Sequence, residues 1–249
     1  MTRLSWDAPG ERYFETGIER GVLYVGDKPG VPWTGLTSVN ETPSNGETKA
    51  YYVDGVKYLN RVMPEEYDAT IEAYTYPDEF AVCDGTAAVK NGLFARHQKR
   101  KPFGLCYKTY VGNDIDGPTH AYKLHIIYDA LAEPSPQNHS TMGESTEAFN
   151  FSWRITTKPP LLESYRPTSH MVIDSRETPD GLLSYIEDIL YGDELNDPRL
   201  PVIGELAFIF TSYLSDALDA EGPISPAYYN YDGGSPTSAQ NSILDGGMP

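Results

Sequence analysis

The run SHMVIDSRETPDGLLSYIEDILYGDE, residues 169–194, places His170, Asp174 and Ser175 within six positions, the residue types of an acyl-transfer triad. A strand here rises about 3.3 Å per residue, so His170 and Asp174 stand roughly 13 Å apart on one face while Ser175 turns to the other. A triad needs contacts of about 2.6–3.2 Å, so this spacing excludes one. The residues that follow read as scaffold. Thr178 suits an N-cap, Pro179 the first helical position, and Asp180 the positive end of the helix dipole. Leu182, Leu183, Ile186, Ile189 and Leu190 form one apolar stripe, Ser184, Glu187 and Asp188 look outward, and Gly192 suits a left-handed stop.

Other chemistry-bearing types are equally bare of a constellation. Glu65-Glu66, Asp78-Glu79 and Glu187-Asp188 are adjacent carboxylates, which chance produces among 36 acidic residues; neighbours on a strand also face opposite ways. GDKPG (26–30) and VNETPSNGET (39–48) lack the spacing of a phosphate-cradling loop. The five histidines, at 97, 120, 125, 139 and 170, show neither HxH nor HExxH spacing, so no metal site is expected. Cys83 and Cys106 form no CxxC and no disulfide framework, which fits a reducing compartment. The expectation is therefore a protein with no catalytic residues and no cofactor. The basic block RHQKRK, with Arg96, Lys99, Arg100 and Lys101, reads as a solvated turn, a phosphate contact, or an inter-subunit complement to an acidic patch on a neighbouring copy.

Composition narrows the class. The 249 residues carry a net charge of −17, a surface that repels phosphate and argues against general nucleic-acid binding. Nineteen Tyr against eight Phe, with 22 Gly and 20 Pro, suit amphipathic strands joined by many turns. There is neither an apolar signal-like segment in MTRLSWDAPGERYF nor an 18-residue apolar run, so a soluble protein made in the cytoplasm is expected.

The elements follow from period and turn chemistry. Val22 to Val25 is a short β run, and 27–50, rich in Pro and Gly, reads mainly as loop. AYYVDGVKYLNRV (50–62) predicts a hairpin turning on Asp54-Gly55. EYDATIEAYTYP (66–77) alternates, with Tyr67, Ala69, Ile71 and Ala73 on one face. Two strands are expected in 105–134, with Tyr122, Leu124, Ile126 and Tyr128 sharing a face, then one in 147–160 and one near 169–174. Beyond the helix after Thr178, residues 204–219 space Leu206, Ile209, Phe210, Tyr213 and Leu214 helically, and the chain from 222 reads as a flexible tail. The expected organisation is a β domain over 1–205, a helical extension over 206–221 and the tail 222–249.

In that order of elements, three blocks carry a resemblance: FGLCYKTYVGNDIDGPTHAYKLHIIYDALAEP, FNFSWRITTKPP and RPTSHMVIDSRETPDGLLSYIEDILYGDELNDPRLP. Together they resemble the major tail protein, or tail tube subunit, of long-tailed, non-contractile bacteriophages, over roughly residues 5–205. The resemblance implies a mainly β fold, with two packed antiparallel sheets (a tail-tube sandwich or barrel), one flanking helix and long loops. It implies a virion protein whose partners are other copies of itself, in hexameric rings stacked into a tube. Tail initiator or distal tail, tape measure and tail terminator proteins would join it, and double-stranded DNA would pass through the lumen without specific binding, with no membrane contact. An assembly loop reaching the next ring falls at about 36–60, with Asn45, Gly46, Tyr51 and Tyr52. Segments 204–219 and 222–249 depart from the family pattern. Six copies would carry about −100 per ring, a wall suited to a DNA conduit.

Two other readings are weighed. A β-sandwich carbohydrate-binding module or hydrolase would line a sugar groove with Trp33, Tyr51, Tyr52 and Trp153. A tube subunit of a contractile tail would differ in its partners rather than its fold.

Overall fold

The structure, a computed structural model, describes residues 6–44, 49–61, 65–137, 149–162 and 165–219, with side chains as far as Tyr213. The chain runs β1 (Phe14–Tyr24), β2 (Val31–Pro32), β3 (Leu36–Glu41), β4 (Lys49–Val53), β5 (Val56–Arg61) and β6 (Asp68–Ala73). A 3-10 turn over Asp78–Val82 leads to β7 (Ala87–Lys90), β8 (Leu93–Ala95), β9 (Phe103–Asn113) and β10 (Gly117–Ala132). The last elements are β11 (Phe151–Thr157), β12 (His170–Asp174), α1 (Asp180–Tyr191) and α2 (Ile203–Asp219). It is a mainly β, antiparallel fold with a flanking helix.

The principal sheet is one hydrogen-bonded path, β2-β1-β9-β10-β11-β6-β3, with β12 also paired to β10. β9 occupies one edge of the long β10; β12 and β11 share the other, opposite 123–127 and 130–132. The path curls back on itself. The Tyr107 hydroxyl on β9 donates to Glu41 on β3 at 3.0 Å, although four strand-to-strand steps separate them in the sheet. The Trp33 indole N–H likewise donates to the carbonyl of Thr75 at 3.0 Å. Strand alternation fills the inside of the curl with Leu23, Ala69, Ile71, Phe103, Leu105, Ile127, Trp153 and Ile155. Trp33, Phe80 and Trp153 pack edge-on or tilted at the centre, with ring centroids 4.7–5.9 Å apart.

The opposite face of the sheet takes α1, whose buried residues are Leu182, Leu183, Ile186 and Leu190. Its last carbonyls have no partner within the helix. The buried Tyr24 hydroxyl takes that of Leu190 at 2.6 Å, and the Arg199 N–H takes that of Ile189 at 2.9 Å. The chain after α1 stays on the same structure: Gly30 N–H donates to Pro198, and Leu200 lies where a side chain on Gly104 would project. These contacts hold residues 198–200 of the PRLP stretch against the strands and α1.

The structure corrects several expectations. Residues 27–50 hold β2 and β3, because Leu36 and Val39 pack on the core even though Pro and Gly surround them. Thr178 does not cap α1: its hydroxyl turns back to the Asp174 carbonyl at 2.8 Å, and Pro179 takes the N-cap position without a side-chain bond. Gly192 has the positive φ expected of it, 82°, but with an extended ψ of 158°. The second helix begins at Ile203, with Ile203 and Leu206 buried. The chain divides into two units, Met1–Phe210 and Thr211–Pro249, with the boundary inside α2. The tail 222–249 lies outside the described residues.

Candidate functional site

Among the described residues, the β4–β5 hairpin pairs with itself alone in its own two-stranded sheet. Asp54 (φ 50°) and Gly55 (φ 77°) supply the left-handed pair that a type I′ turn requires. Every residue in both arms is exposed, including Tyr51, Tyr52, Val53, Val56, Tyr58 and Leu59. The β3–β6 ladder continues through Thr42 N–H to the Asp68 carbonyl and reaches a Ser44–Glu66 bridge. Of the expected assembly residues, Tyr51 and Tyr52 are thus on the surface of the single chain, and Asn45 and Gly46 lie outside the described residues.

The basic block is partly committed within the chain. Arg96 reaches the buried Asp84 at 3.2 Å, and Arg100 reaches it at 3.7 Å while donating to the Ala132 carbonyl at 2.7 Å. Lys99 and Lys101 are exposed. The tryptophans proposed for a sugar groove are unavailable: Trp33 is 3% and Trp153 1% exposed, because both fill the core.

The opening cluster comes apart as its spacing requires. Asp174 is held by the Arg176 guanidinium at 2.9 and 2.6 Å, which keeps its carboxyl below the usual carboxylate range. The Ser175 hydroxyl accepts the Tyr122 N–H at 2.9 Å. His170 instead meets His125, Nε2 to Nδ1, at 3.2 Å. β12 pairs with β10 so that Val172 stands opposite His125 and His170 opposite Ile127, leaving the two histidines diagonal neighbours on one face. The curl adds Glu41 from β3, whose Oε1 lies 3.7 Å from His170 Nε2 and 3.9 Å from His125 Nδ1.

Their surroundings are ordered. The Tyr107 ring stacks on His125 at 4.7 Å with 2° between planes, and Tyr67 packs on His170 at 4.6 Å. Thr109 Oγ1 lies 3.0 Å from His125 Nε2. The Tyr67 hydroxyl is enclosed beside Glu41 and Tyr107 without a hydrogen bond of normal geometry. Burial, reinforced by His170, pushes His125 down to about 4, and burial also lowers His170, so both rings are neutral at pH 7. A groove of about 460 Å³ opens beside them, lined among others by Glu15, Gly17, Thr37, Glu41, Tyr107 and His125. It lies between two strands whose edges are largely unpaired among the described residues: there β1 pairs with β2 at residues 22–23 alone, and β3 pairs with β6 alone. No sequence signal joined Glu41, His125 and His170, which lie 84 and 45 positions apart along the chain.

Both cysteines are free and buried, and burial pushes each thiol up to about 12, which leaves them unreactive. No helix is long and apolar enough to cross a membrane among the described residues.

No protein-family model matches the chain, and no curated protein does. Among solved structures, it is similar to a chain of the sheath–tube complex of an extracellular contractile injection system (PVC) in the extended state. That match has a TM-score of 0.37 and 12% identity, covering 62% of this chain and 88% of the other. The anti-feeding prophage cap, a tube-terminating cap, matches with a TM-score of 0.34 and 11% identity, over 70% of this chain and 97% of the other. At such scores the likeness leaves the function to be argued from this chain's own residues.

Proposed function

We propose that the chain is a structural subunit that assembles with copies of itself into stacked rings, forming the tail tube of a non-contractile phage through which DNA leaves the capsid. The observation that carries the assembly reading is the β4–β5 hairpin. A lone two-stranded hairpin is marginal in water, and six exposed apolar or aromatic side chains on it are costly without a partner surface. A second copy fits that role because the same chain offers open edges on β1 and β3, which ring closure would pair. The sequence resemblance supplies the tube. The charge of −17 per chain suits a DNA conduit, since phosphate would slide past it unheld. Lys99 and Lys101 remain for acidic patches on neighbouring copies.

Negative-stain microscopy of the concentrated protein, with and without a tail initiator, tests the proposal. Rings or tubes about 100 Å wide are expected, from six domains each tens of ångströms across. Monomers at every concentration and salt, with initiator present, would overturn it. A sheath gene beside this one would redirect the reading to a contractile tail.

A further inference from the structure

We propose that Glu41, His125 and His170 form a binding site for one divalent transition-metal ion of the zinc type. The three ligand atoms stand 3.2, 3.7 and 3.9 Å apart. A triangle of these sides has a circumradius of about 2.1 Å, so a single point lies at zinc–nitrogen and zinc–oxygen distance (about 2.0–2.2 Å) from all three. Two imidazoles and one carboxylate are a donor set for Zn²⁺, Co²⁺ or Ni²⁺ rather than for Ca²⁺ or Mg²⁺, which prefer all-oxygen shells.

The supporting shell has the form that metal sites use. Thr109 Oγ1 can accept the proton of His125 Nε2, which leaves the Nδ1 lone pair aimed at the site. The Tyr107 hydroxyl donates to Glu41 Oε1 and orients the carboxylate, while the Tyr67 and Tyr107 rings hold the two imidazoles in place. The enclosed Tyr67 hydroxyl sits beside Glu41 and Tyr107 without a hydrogen bond of normal geometry, and a metal-bound water would give it one. Glu41 is the most exposed of the three, so an ion can enter from the groove side. Because Glu41 is on β3 and the histidines are on β10 and β12, the ion would pin the last strand of the curl to the sheet's middle.

The full-length protein, stripped with chelator and checked by circular dichroism, is titrated with Zn²⁺ by calorimetry and with Co²⁺ by visible absorption. One equivalent per chain is expected, with Co²⁺ bands at about 500–650 nm, displacement by Zn²⁺ and a higher Tm with metal. His125→Gln and His170→Gln should each weaken binding at least about 100-fold, and Thr109→Val about 10-fold. His120→Gln, at an exposed histidine paired with Asp116, should leave it unchanged. If a histidine variant fails to fold, the exposed Glu41→Gln still decides, with an expected loss of at least about 10-fold. Absence of stoichiometric binding, or equal binding in parent and Glu41→Gln, would overturn the inference.

Discussion

Replacing Tyr52 and Tyr58 together by Thr should abolish assembly and leave the monomer intact. Thr keeps the β preference of the hairpin arms while removing both rings. Tyr52 is 64% and Tyr58 77% exposed, so most of each ring is available to a partner and little of it supports the monomer. A tyrosine buries about 150–250 Å² when covered. At about 25 cal/mol per Å², the still-open part amounts to roughly 2–5 kcal/mol per ring. Losing the low end of that range costs about 30-fold in association per ring, and about 1,000-fold for both if the losses add. Monomer stability should change by no more than about 0.5 kcal/mol, or about 2 °C in Tm. Sedimentation velocity over a concentration series, with and without initiator, reads the first quantity, and calorimetry reads the second. A double variant that assembles at the parent's concentration would refute the reasoning. So would a Tm several degrees lower, which would mean that the hairpin packs within the monomer.

Tyr24→Phe should cost about 1–3 kcal/mol, read by denaturant unfolding, because it strands the Leu190 carbonyl in a buried place; Tyr58→Phe, altering only an exposed hydroxyl, should cost almost nothing. Asp84→Ala should cost about 2–4 kcal/mol, since it leaves the part-buried Arg100 without its carboxylate; a cost below about 0.5 kcal/mol would show that the pair is irrelevant. Metal-free protein should lose stability as pH falls from about 6.5, where a free histidine titrates, towards 4, where folded His125 does. The unfolded chain binds the proton first, so stability is complete above that window and falls by about 2–3 kcal/mol across it, discounting for partial solvent access. Burial outweighs the neighbouring charges, of which Glu41 and Glu15 favour the charged ring while His170 and Lys123 disfavour it. Urea midpoints at pH 7, 5.5 and 4.5 check it, and His125→Gln should flatten the curve.

Local chemistry was readable from the chain because its causes are local. Asp54-Gly55 specified a turn, the alternation of Ala69, Ile71 and Ala73 specified a strand with one buried face, and the stripe from Leu182 to Leu190 specified a helix that lies on a sheet. The failure of His170, Asp174 and Ser175 as a triad was equally local, set by strand rise alone. Where a hydrogen-bonding choice depended on geometry, reading the chain fell short: Thr178 looked like a cap, but the tight turn before α1 gave its hydroxyl the Asp174 carbonyl instead. β3 was missed because its Pro and Gly neighbours dominate the local pattern, while its reason to be a strand, the β6 edge and the core beneath Leu36 and Val39, lies elsewhere in the chain. Trp33 and Trp153 looked like binding aromatics until the curl enclosed them. The Glu41, His125 and His170 cluster depends on the β10–β12 register and on the closure of β3 over β9. Pairing between distant strands follows from the summed burial of a whole sheet, so no stretch of sequence around any one of these residues contains it.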